Sequence, residues 1–112
     1  MEIDLSSMIQ DNRQISIQLE MWVNRALLQV GLTAVQAHIL LYILEHADQG
    51  TTMTAIHREL GCSMAALSGL LKRLRAKGYV RVEPHAGDDR QKLLLGTEKG
   101  EQAKEFLEGI LR

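Results

Sequence analysis

Basic side chains are concentrated in the middle third of this sequence. Residues 51–92 carry 8 basic and 4 acidic residues, whereas residues 1–50 carry 2 and 6, although the net charge of the whole chain is only −1. Within the basic third, five cations occur without an acidic residue between them: Lys72, Arg73, Arg75, Lys77 and Arg81. Such a cluster is typical of a surface that binds phosphates, and it also occurs on solvated helix faces. Charge alone leaves both interpretations open.

Other reactive side chains lack the spacing that catalysis or metal binding requires. Cys62 is the only cysteine, and its place near a predicted helix N-terminus fits either a redox-sensitive thiolate or, more commonly, a buried structural thiol. The histidines are scattered along the chain: His38, His46, His57 and His85. Because a glycine-rich phosphate loop and a Ser/His/Asp arrangement are also missing, we predict no enzymatic activity, no catalytic residue, no metal site and no cofactor.

The composition is typical of one globular domain. The chain has 112 residues, of which 46% are hydrophobic and 24% are charged, and we expect residues 1–112 to form a single domain. No apolar run approaches the ~20 residues that span a bilayer. The acidic start Met1-Glu2-Ile3-Asp4 lacks the basic and apolar regions of a signal peptide. We therefore expect a cytoplasmic protein that does not associate with membranes.

Apolar periodicity predicts two helices in the first part of the chain. Residues 5–30 carry apolar side chains at three- and four-residue steps, which is typical of an amphipathic helix, and Gly31 ends it. Unbroken, this helix would be about 39 Å long, more than a small domain needs to cover itself, so part of it is expected to pack on another subunit. Thr33 and Gln36 form a capping box that opens a second, largely apolar helix reaching about Ala47.

A helix-turn-helix is predicted next. Residues 51–53 form a short strand, and Thr54 caps a helix over residues 55–60. After a short turn that contains glycine, Ser63 caps a second helix over residues 64–77.

The period of the apolar pattern then changes to two, which predicts a β-hairpin. Residues 79–83 and 91–95 form its strands, and Pro84 ends the first of them. Thr97 caps a last helix. This order predicts a mainly α fold with a small β-hairpin, namely a winged helix-turn-helix core over residues 33–96 between dimerisation helices at residues 1–30 and 97–112.

The second helix of a helix-turn-helix fits the major groove of duplex DNA. If its leucine stripe faces the core, its opposite face presents Ala65, Gly69, Lys72 and Ala76, flanked by Ser68 and Arg73, with Ser63 and Met64 at its amino end. Three residues of this face are small, so it can approach a groove closely but offers few bidentate contacts to bases. Gly69 either permits that approach or is a tolerated surface glycine.

Four segments resemble the MarR family of bacterial transcriptional regulators: Leu60-Gly61-Cys62-Ser63, Leu74-Arg75-Ala76-Lys77-Gly78-Tyr79-Val80, Asp88-Asp89-Arg90 and Thr97-Glu98-Lys99-Gly100. The likeness covers residues 30–104, and its most specific part is the combination of Asp88 and Arg90 with Thr97 and Gly100. The resemblance implies a homodimer on a pseudo-palindromic operator. It also implies that Arg90, oriented by Asp88, enters the minor groove beside the recognition helix.

The sequence departs from the family pattern in three ways. Only one short helix follows the wing, so the long N-terminal helix is expected to carry more of the dimer interface. Gly96 replaces the usual leucine, which is expected to weaken the second wing strand. The exposed face of the recognition helix lacks an arginine that is often found there, which is expected to lower operator affinity.

The predicted DNA contacts are Thr52, Thr54, Ser63, Met64, Ala65, Ser68, Gly69, Lys72, Arg73, Asp88 and Arg90. The terminal helices carry more apolar surface than one core needs, and the predicted dimer interface consists of Leu5, Ile9, Ile17, Met21, Leu28, Phe106, Ile110 and Leu111. We predict a sequence-specific, homodimeric regulator that binds duplex DNA and acts as a repressor. A small-molecule effector would bind between the terminal helices and the winged helix. The alternative is a winged helix that contacts proteins and not DNA.

Overall fold

The computed structural model describes residues 18–19, 21–46, 48–85, 87 and 90–111. These residues form five helices and one antiparallel hairpin of two strands, which confirms the predicted winged-helix class. The chain divides into two compact units, of which the first ends at Ala34 and the second begins at Val35. Among the described residues, no single helix is long and apolar enough to cross a membrane.

The first unit contains α1 (residues 21–27), which continues into a 3-10 turn over Leu28–Val30. Gly31 ends this segment as predicted. Its φ of 67° is left-handed, a conformation that glycine adopts without steric penalty, and its N–H donates to the Leu28 carbonyl. Residues 5–17 and residue 20 of the predicted helix lie outside the described residues.

Helix α2 (Ala34–Glu45) carries the longest run of buried residues. Its buried side chains cover most of its circumference: Gln36, Ala37, Ile39, Leu40, Leu41, Ile43 and Leu44. This burial agrees with the largely apolar helix predicted from the sequence, since a helix that is apolar on most sides must be surrounded by other elements.

The helix-turn-helix consists of α3 (Met53–Leu60) and α4 (Met64–Ala76). Ser63 caps α4 as predicted, because its hydroxyl accepts the Ala66 N–H at 3.1 Å. The prediction that Thr54 caps α3 is wrong, since the cap is Thr52, whose hydroxyl accepts the Ala55 N–H at 3.1 Å. The helix begins two residues earlier than predicted because the β-bridge to Leu94 involves only Thr51, and the backbone stays extended only as far as Thr52.

The wing is the hairpin of β1 (Val80–Pro84) and β2 (Lys92–Gly96), each beginning one residue later than predicted. Val82 pairs with Leu94, and Pro84, which was expected to end the strand, forms the last pair with Lys92. Leu94 also exchanges two backbone hydrogen bonds with Thr51, at 3.2 and 2.7 Å. The start of the helix-turn-helix is thereby joined to the wing by main-chain atoms.

Helix α5 (Glu98–Leu111) follows the wing directly. Thr97 caps it as predicted, accepting the Gly100 N–H at 3.1 Å. Gly96 does not interrupt β2, because it pairs with Val80. A Cβ at Gly96 would collide with the buried side chain of Leu44, so glycine at this position lets the end of β2 lie close to α2.

Candidate nucleic-acid interface

Helix α4 buries one face and exposes the other, as a recognition helix must. Leu67, Leu71 and Leu74 are buried. The residues on the other side are exposed, as predicted from helical spacing: Ala65, Ser68, Gly69, Lys72, Arg73 and Ala76. This face therefore carries mostly small side chains, and its cations Lys72 and Arg73 lie in the C-terminal half of α4.

The turn between α3 and α4 is held by its own backbone and by one side chain. Gly61 ends α3 with a left-handed φ of 74°, and its N–H donates to the His57 carbonyl. The imidazole Nδ1 of His57 lies 2.5 Å from the carbonyl oxygen of Cys62. These contacts fix the angle at which α4 leaves α3. Cys62 is half-buried, so its exposure does not decide between a redox-sensitive thiolate and a buried structural thiol.

An open cleft of about 830 Å³ separates α4 from the wing. Its lining includes the apolar residues Met53, Leu71, Val82 and Leu94. Four cations line it: Lys72, Arg75, Arg90 and Lys92. None of the described residues that line the cleft is acidic. Because cations on low-dielectric walls attract anions strongly, the cleft is suited to a phosphate backbone.

Six of the predicted DNA contacts line this cleft together: Thr52, Thr54, Met64, Ser68, Lys72 and Arg90. Ser63, Ala65, Gly69 and Arg73 do not line it, although they are exposed on the adjoining surface of α4 or at its cap. Asp88 lies outside the described residues, so its orientation of Arg90 stays a prediction.

Arg75, Gln91 and Lys92 line the cleft but are missing from the predicted contacts. Arg75 lies three residues after Lys72, and Lys92 lies two residues before the cleft-lining Leu94 on the same strand. Helical and strand periodicity together would have placed both cations on the cleft.

Arg81, a member of the same basic cluster, does not line the cleft. It lies between Val80 and Val82 on β1, and its guanidinium donates to the Glu83 carboxylate. The basic cluster of the sequence is thus divided between two faces of the fold.

A set of contacts, which we call the clasp, joins the end of α4 to the start of α5. The Thr97 hydroxyl donates to the Gly78 carbonyl at 2.5 Å while it accepts the Gly100 N–H. The Lys99 ammonium donates to the Lys77 carbonyl at 2.6 Å and lies 4.4 Å from the centre of the Tyr79 ring. The segment Thr97 to Gly100, which carried much of the sequence resemblance, thus holds the recognition helix to α5.

The predicted dimer interface is only partly described. Met21 and Leu28 are 57% and 75% exposed, a large apolar exposure for two residues of one segment. Phe106, Ile110 and Leu111 on α5 are half-buried. Leu5, Ile9 and Ile17 lie outside the described residues. The dimer stays a prediction.

The scattered histidines do not converge on a metal site in the described part of the chain, where no three His, Cys, Asp or Glu side chains lie close enough to hold an ion. His46 instead packs against Tyr42, with ring centres 4.2 Å apart. The Tyr42 hydroxyl donates to the Glu59 carboxylate at 2.7 Å, which joins α2 to α3.

The MarR family matches residues 30–91 of this chain. Among solved structures, E. coli MarR in its reduced form aligns with a TM-score of 0.79 at 25% identity, over 99% of this chain and 78% of that one. A mutant of S. aureus MepR bound to an oligodeoxyribonucleotide gives 0.77 at 27% identity, over 98% and 78%. Reduced AbfR bound to DNA gives 0.75 at 28% identity, over 94% and 75%. No curated protein gives a significant match.

These likenesses decide between the two predicted functions. Two of the three relatives were solved on DNA, and MarR-family regulators are typically non-enzymatic DNA-binding proteins. A winged helix that contacts only proteins is therefore not favoured. The match over more than half of its length and the shared winged-helix fold show that the chain belongs to the MarR family of DNA-binding transcriptional regulators.

Proposed function

We propose that this chain regulates transcription by binding operator DNA as a homodimer, with α4 in the major groove and the tip of the wing in the adjacent minor groove. The observation that carries the proposal is the position of Lys72 and Arg90. They line one cleft from opposite sides, Lys72 on the recognition helix and Arg90 next to β2 of the wing. Two elements placed in this way can enter neighbouring grooves of one duplex.

The surface of α4 favours moderate sequence specificity. Ala65, Gly69 and Ala76 have no hydrogen-bonding side chain, and Lys72 is the one long side chain among the four residues opposite the leucine stripe. Close approach and phosphate attraction then supply most of the affinity, while Lys72 and Ser68 read bases. The proposed outcome on a promoter is repression, because a dimer seated in the grooves blocks access to the DNA it covers.

Homodimerisation is supported by the apolar exposure of α1 and the 3-10 turn after it, and by the family match. Met21, Trp22 and Leu28 are all more than half exposed. Covering them with a second copy removes apolar surface from water. A twofold axis places two recognition helices about one turn of DNA apart, ~34 Å, or a multiple of it, which matches a pseudo-palindromic site. An effector would act by binding the dimer more tightly at one spacing of the two recognition helices than at another.

The test begins with selection of bound genomic fragments by the purified protein, which defines an operator. Binding of that operator and of a random duplex is then measured at two salt concentrations for the wild type, Lys72→Ala, Arg90→Ala and Arg81→Ala. Lys72→Ala should weaken operator binding and reduce discrimination at one position in each half-site by about 1 to 3 kcal/mol. Arg90→Ala should weaken binding to every duplex, most at narrow A·T-rich minor grooves.

Arg81→Ala removes the same charge from the opposite side of the wing and should leave affinity near that of the wild type. Wild-type affinity in both Lys72→Ala and Arg90→Ala would overturn the proposed DNA surface. A monomeric mass in light scattering at tens of micromolar would overturn the homodimer.

A further inference from the structure

The turn at the tip of the wing contains a hydrogen bond that depends on the protonation of a histidine. His85 directly follows the last residue of β1, and its imidazole Nδ1 accepts the Gly87 N–H at 3.0 Å. Because a backbone N–H can only donate, Nδ1 must present a lone pair, and the neutral ring carries its proton on Nε2. We propose that this bond, which we call the wing latch, is a pH switch that is closed when His85 is neutral and open when His85 is protonated.

The chemistry of imidazole suits this role. Histidine is the side chain that ordinarily gains or loses a proton between about pH 5 and pH 8. A proton on Nδ1 occupies the lone pair, so the ring becomes a donor at both nitrogens and can no longer accept the Gly87 N–H. The backbone lies against the ring, since a Cβ built at Gly87 would be 3.4 Å from Cε1 and 3.6 Å from Nδ1 of His85. Protonation therefore obliges the ring or the turn to move.

Two other histidines make hydrogen bonds that protonation leaves in place. The Nδ1 atoms of His46 and His57 lie against backbone carbonyl oxygens, those of Tyr42 and Cys62 respectively. A carbonyl oxygen can only accept, so both rings donate from Nδ1 in the neutral and in the protonated form. Among the described histidines with such a bond, only His85 loses its partner on acidification.

The charged groups around His85 favour opening of the latch once the ring is protonated. His85 is half-buried and lines a depression of about 220 Å³ together with Arg75 of α4, Glu83 of β1 and Lys92 of β2. The Glu83 carboxylate accepts a hydrogen bond from Arg81, which offsets its charge. A protonated His85 thus becomes a third cation beside Arg75 and Lys92, and repulsion from them favours movement of the ring out of the depression.

The wing latch lies in the turn that presents Arg90. His85 and Arg90 are both in the turn between β1 and β2. If Arg90 enters a minor groove, an open latch gives the tip more conformations, and DNA binding must then pay the entropy of ordering them. This effect on DNA rests on the proposed function, whereas opening of the latch does not. We expect operator binding to weaken on acidification.

The latch itself is tested by NMR on the free protein between about pH 8 and pH 5. In the wild type, the neutral ring should be the Nε2–H tautomer, and the heteronuclear NOE of the Gly87 and Arg90 amides should fall as His85 takes up a proton. His85→Asn supplies an acceptor that does not titrate, because an asparagine side chain accepts the N–H two residues further on, so its NOE should stay constant. His85→Leu lacks an acceptor and should give the low NOE at every pH.

Two NMR results would overturn the latch. One is an Nδ1–H tautomer of neutral His85, and the other is a wild-type NOE that stays constant while the ring takes up its proton. Asp88 and Asp89 of the same turn lie outside the described residues, so the titration is repeated on Asp88→Asn/Asp89→Asn. Retention of the pH response in this double variant supports the latch, and its loss would assign the response to the carboxylates.

The effect on DNA is measured with the selected operator at about pH 7.5 and about pH 5.5. A protonated ring also attracts DNA by its charge, so the titrations are made at about 0.2 M salt, which screens this attraction. Wild type and His85→Asn should bind equally at the higher pH. At the lower pH the wild type should bind about 3- to 10-fold more weakly than His85→Asn, the effect of one hydrogen bond. His46→Gln is the control and should respond to pH as the wild type does.

The two parts of the inference fail separately. Equal pH responses of the wild type and His85→Asn, or tighter binding by the wild type at the lower pH, would overturn the role of the latch in DNA binding. If the wild-type protein binds no duplex at either pH, the proposed function fails, and the NMR titration still decides whether the latch exists.

Discussion

The ammonium nitrogen of Lys99 lies 2.6 Å from the carbonyl oxygen of Lys77. This hydrogen bond joins the first turn of α5 to the C-cap residue of α4. Helix α4, which is proposed to bind DNA, and helix α5, which is expected to contact a partner subunit, are therefore coupled through an exposed side chain. Thr97 adds a second connection through the Gly78 carbonyl. A displacement of α5 would have to break these bonds or move α4.

Removal of the Lys99 amine tests this coupling. Lys99→Met keeps the length and apolar stem of the side chain, but it loses the bond to Lys77 and the contact with the Tyr79 ring. We expect the free energy of unfolding to fall by about 1 kcal/mol in urea titrations, and operator affinity to fall as the end of α4 is released. Lys104→Met on the same helix is the control. Equal effects of the two variants would contradict a specific role for Lys99.

Two glycines of α5 should respond oppositely to the same substitution. A Cβ at Gly100 would lie 2.5 Å from the backbone oxygen of Tyr79, whereas a Cβ at Gly109 would meet no atom within 4 Å. Gly100→Ala should therefore destabilise the fold by about 1 to 3 kcal/mol, since backbone must move. Gly109→Ala should stabilise it by about 0.5 to 1 kcal/mol through helix propensity. Thermal and urea unfolding measure both, and a stable Gly100→Ala variant would refute the close contact.

A substitution at Gly69 tests whether this glycine lets α4 approach DNA closely or is only a tolerated surface residue. No atom lies within 4 Å of a Cβ built there, so Gly69→Ala should stabilise α4 by about 0.5 to 1 kcal/mol. If the bare backbone lies against the groove, the same variant should lose operator affinity although it is more stable. Unchanged affinity together with the gain in stability would identify Gly69 as a tolerated surface glycine.

The identity of the α3 cap can be checked with neighbouring threonines. Thr52→Ala removes the acceptor for the Ala55 N–H and should reduce the free energy of unfolding by about 1 kcal/mol. Thr54→Ala changes an exposed residue within the first turn and should alter it by less than about 0.5 kcal/mol. Urea unfolding of the two variants ranks them. The opposite ranking would restore the cap predicted from the sequence.

Burial raises the pKa of Tyr42 above its ordinary value, and the hydrogen bond and negative charge of Glu59 raise it further. A raised pKa in the folded state stabilises the fold fully below the pKa of the unfolded chain, and this contribution is lost as pH rises through the folded pKa. In NMR titrations, Glu59→Gln should lower the pKa of Tyr42 while leaving that of Tyr79, which burial alone raises, unchanged. A shift of both tyrosines would indicate a general loosening of the fold.

Local signals predicted the elements of this fold well. The residues around Ser63 and Thr97 predict both caps, and Gly31 ends its helical segment as expected. Gly61 and Gly78 also follow helix ends with a positive φ. The Thr52 cap was missed because its position depends on the pairing of Thr51 with Leu94, a contact between segments far apart in the sequence.

The site was predicted less completely than the fold. Helical spacing predicts that Lys72 and Ser68 share one exposed face, and both residues line the cleft, because the faces of a helix follow from its own sequence. It did not separate Arg75, which lines the cleft, from Arg81, which is paired with Glu83. To separate these two arginines, one must know how β1 and β2 are packed relative to α4. The clasp was also missed, since nothing near Lys99 in the sequence indicates that the Lys77 carbonyl is its partner.

The bridge between Thr51 and Leu94 has a consequence for how members of this family can diverge. It is made only of main-chain N–H and C=O groups, and it fixes the start of α3 against the wing at the base of the cleft. Substitutions among the lining side chains can therefore change the charge and chemistry of the cleft without changing its width. In the proposed mode of binding, exchange of side chains such as Lys72 or Ser68 would change the preferred operator, while α4 and the wing would keep their separation.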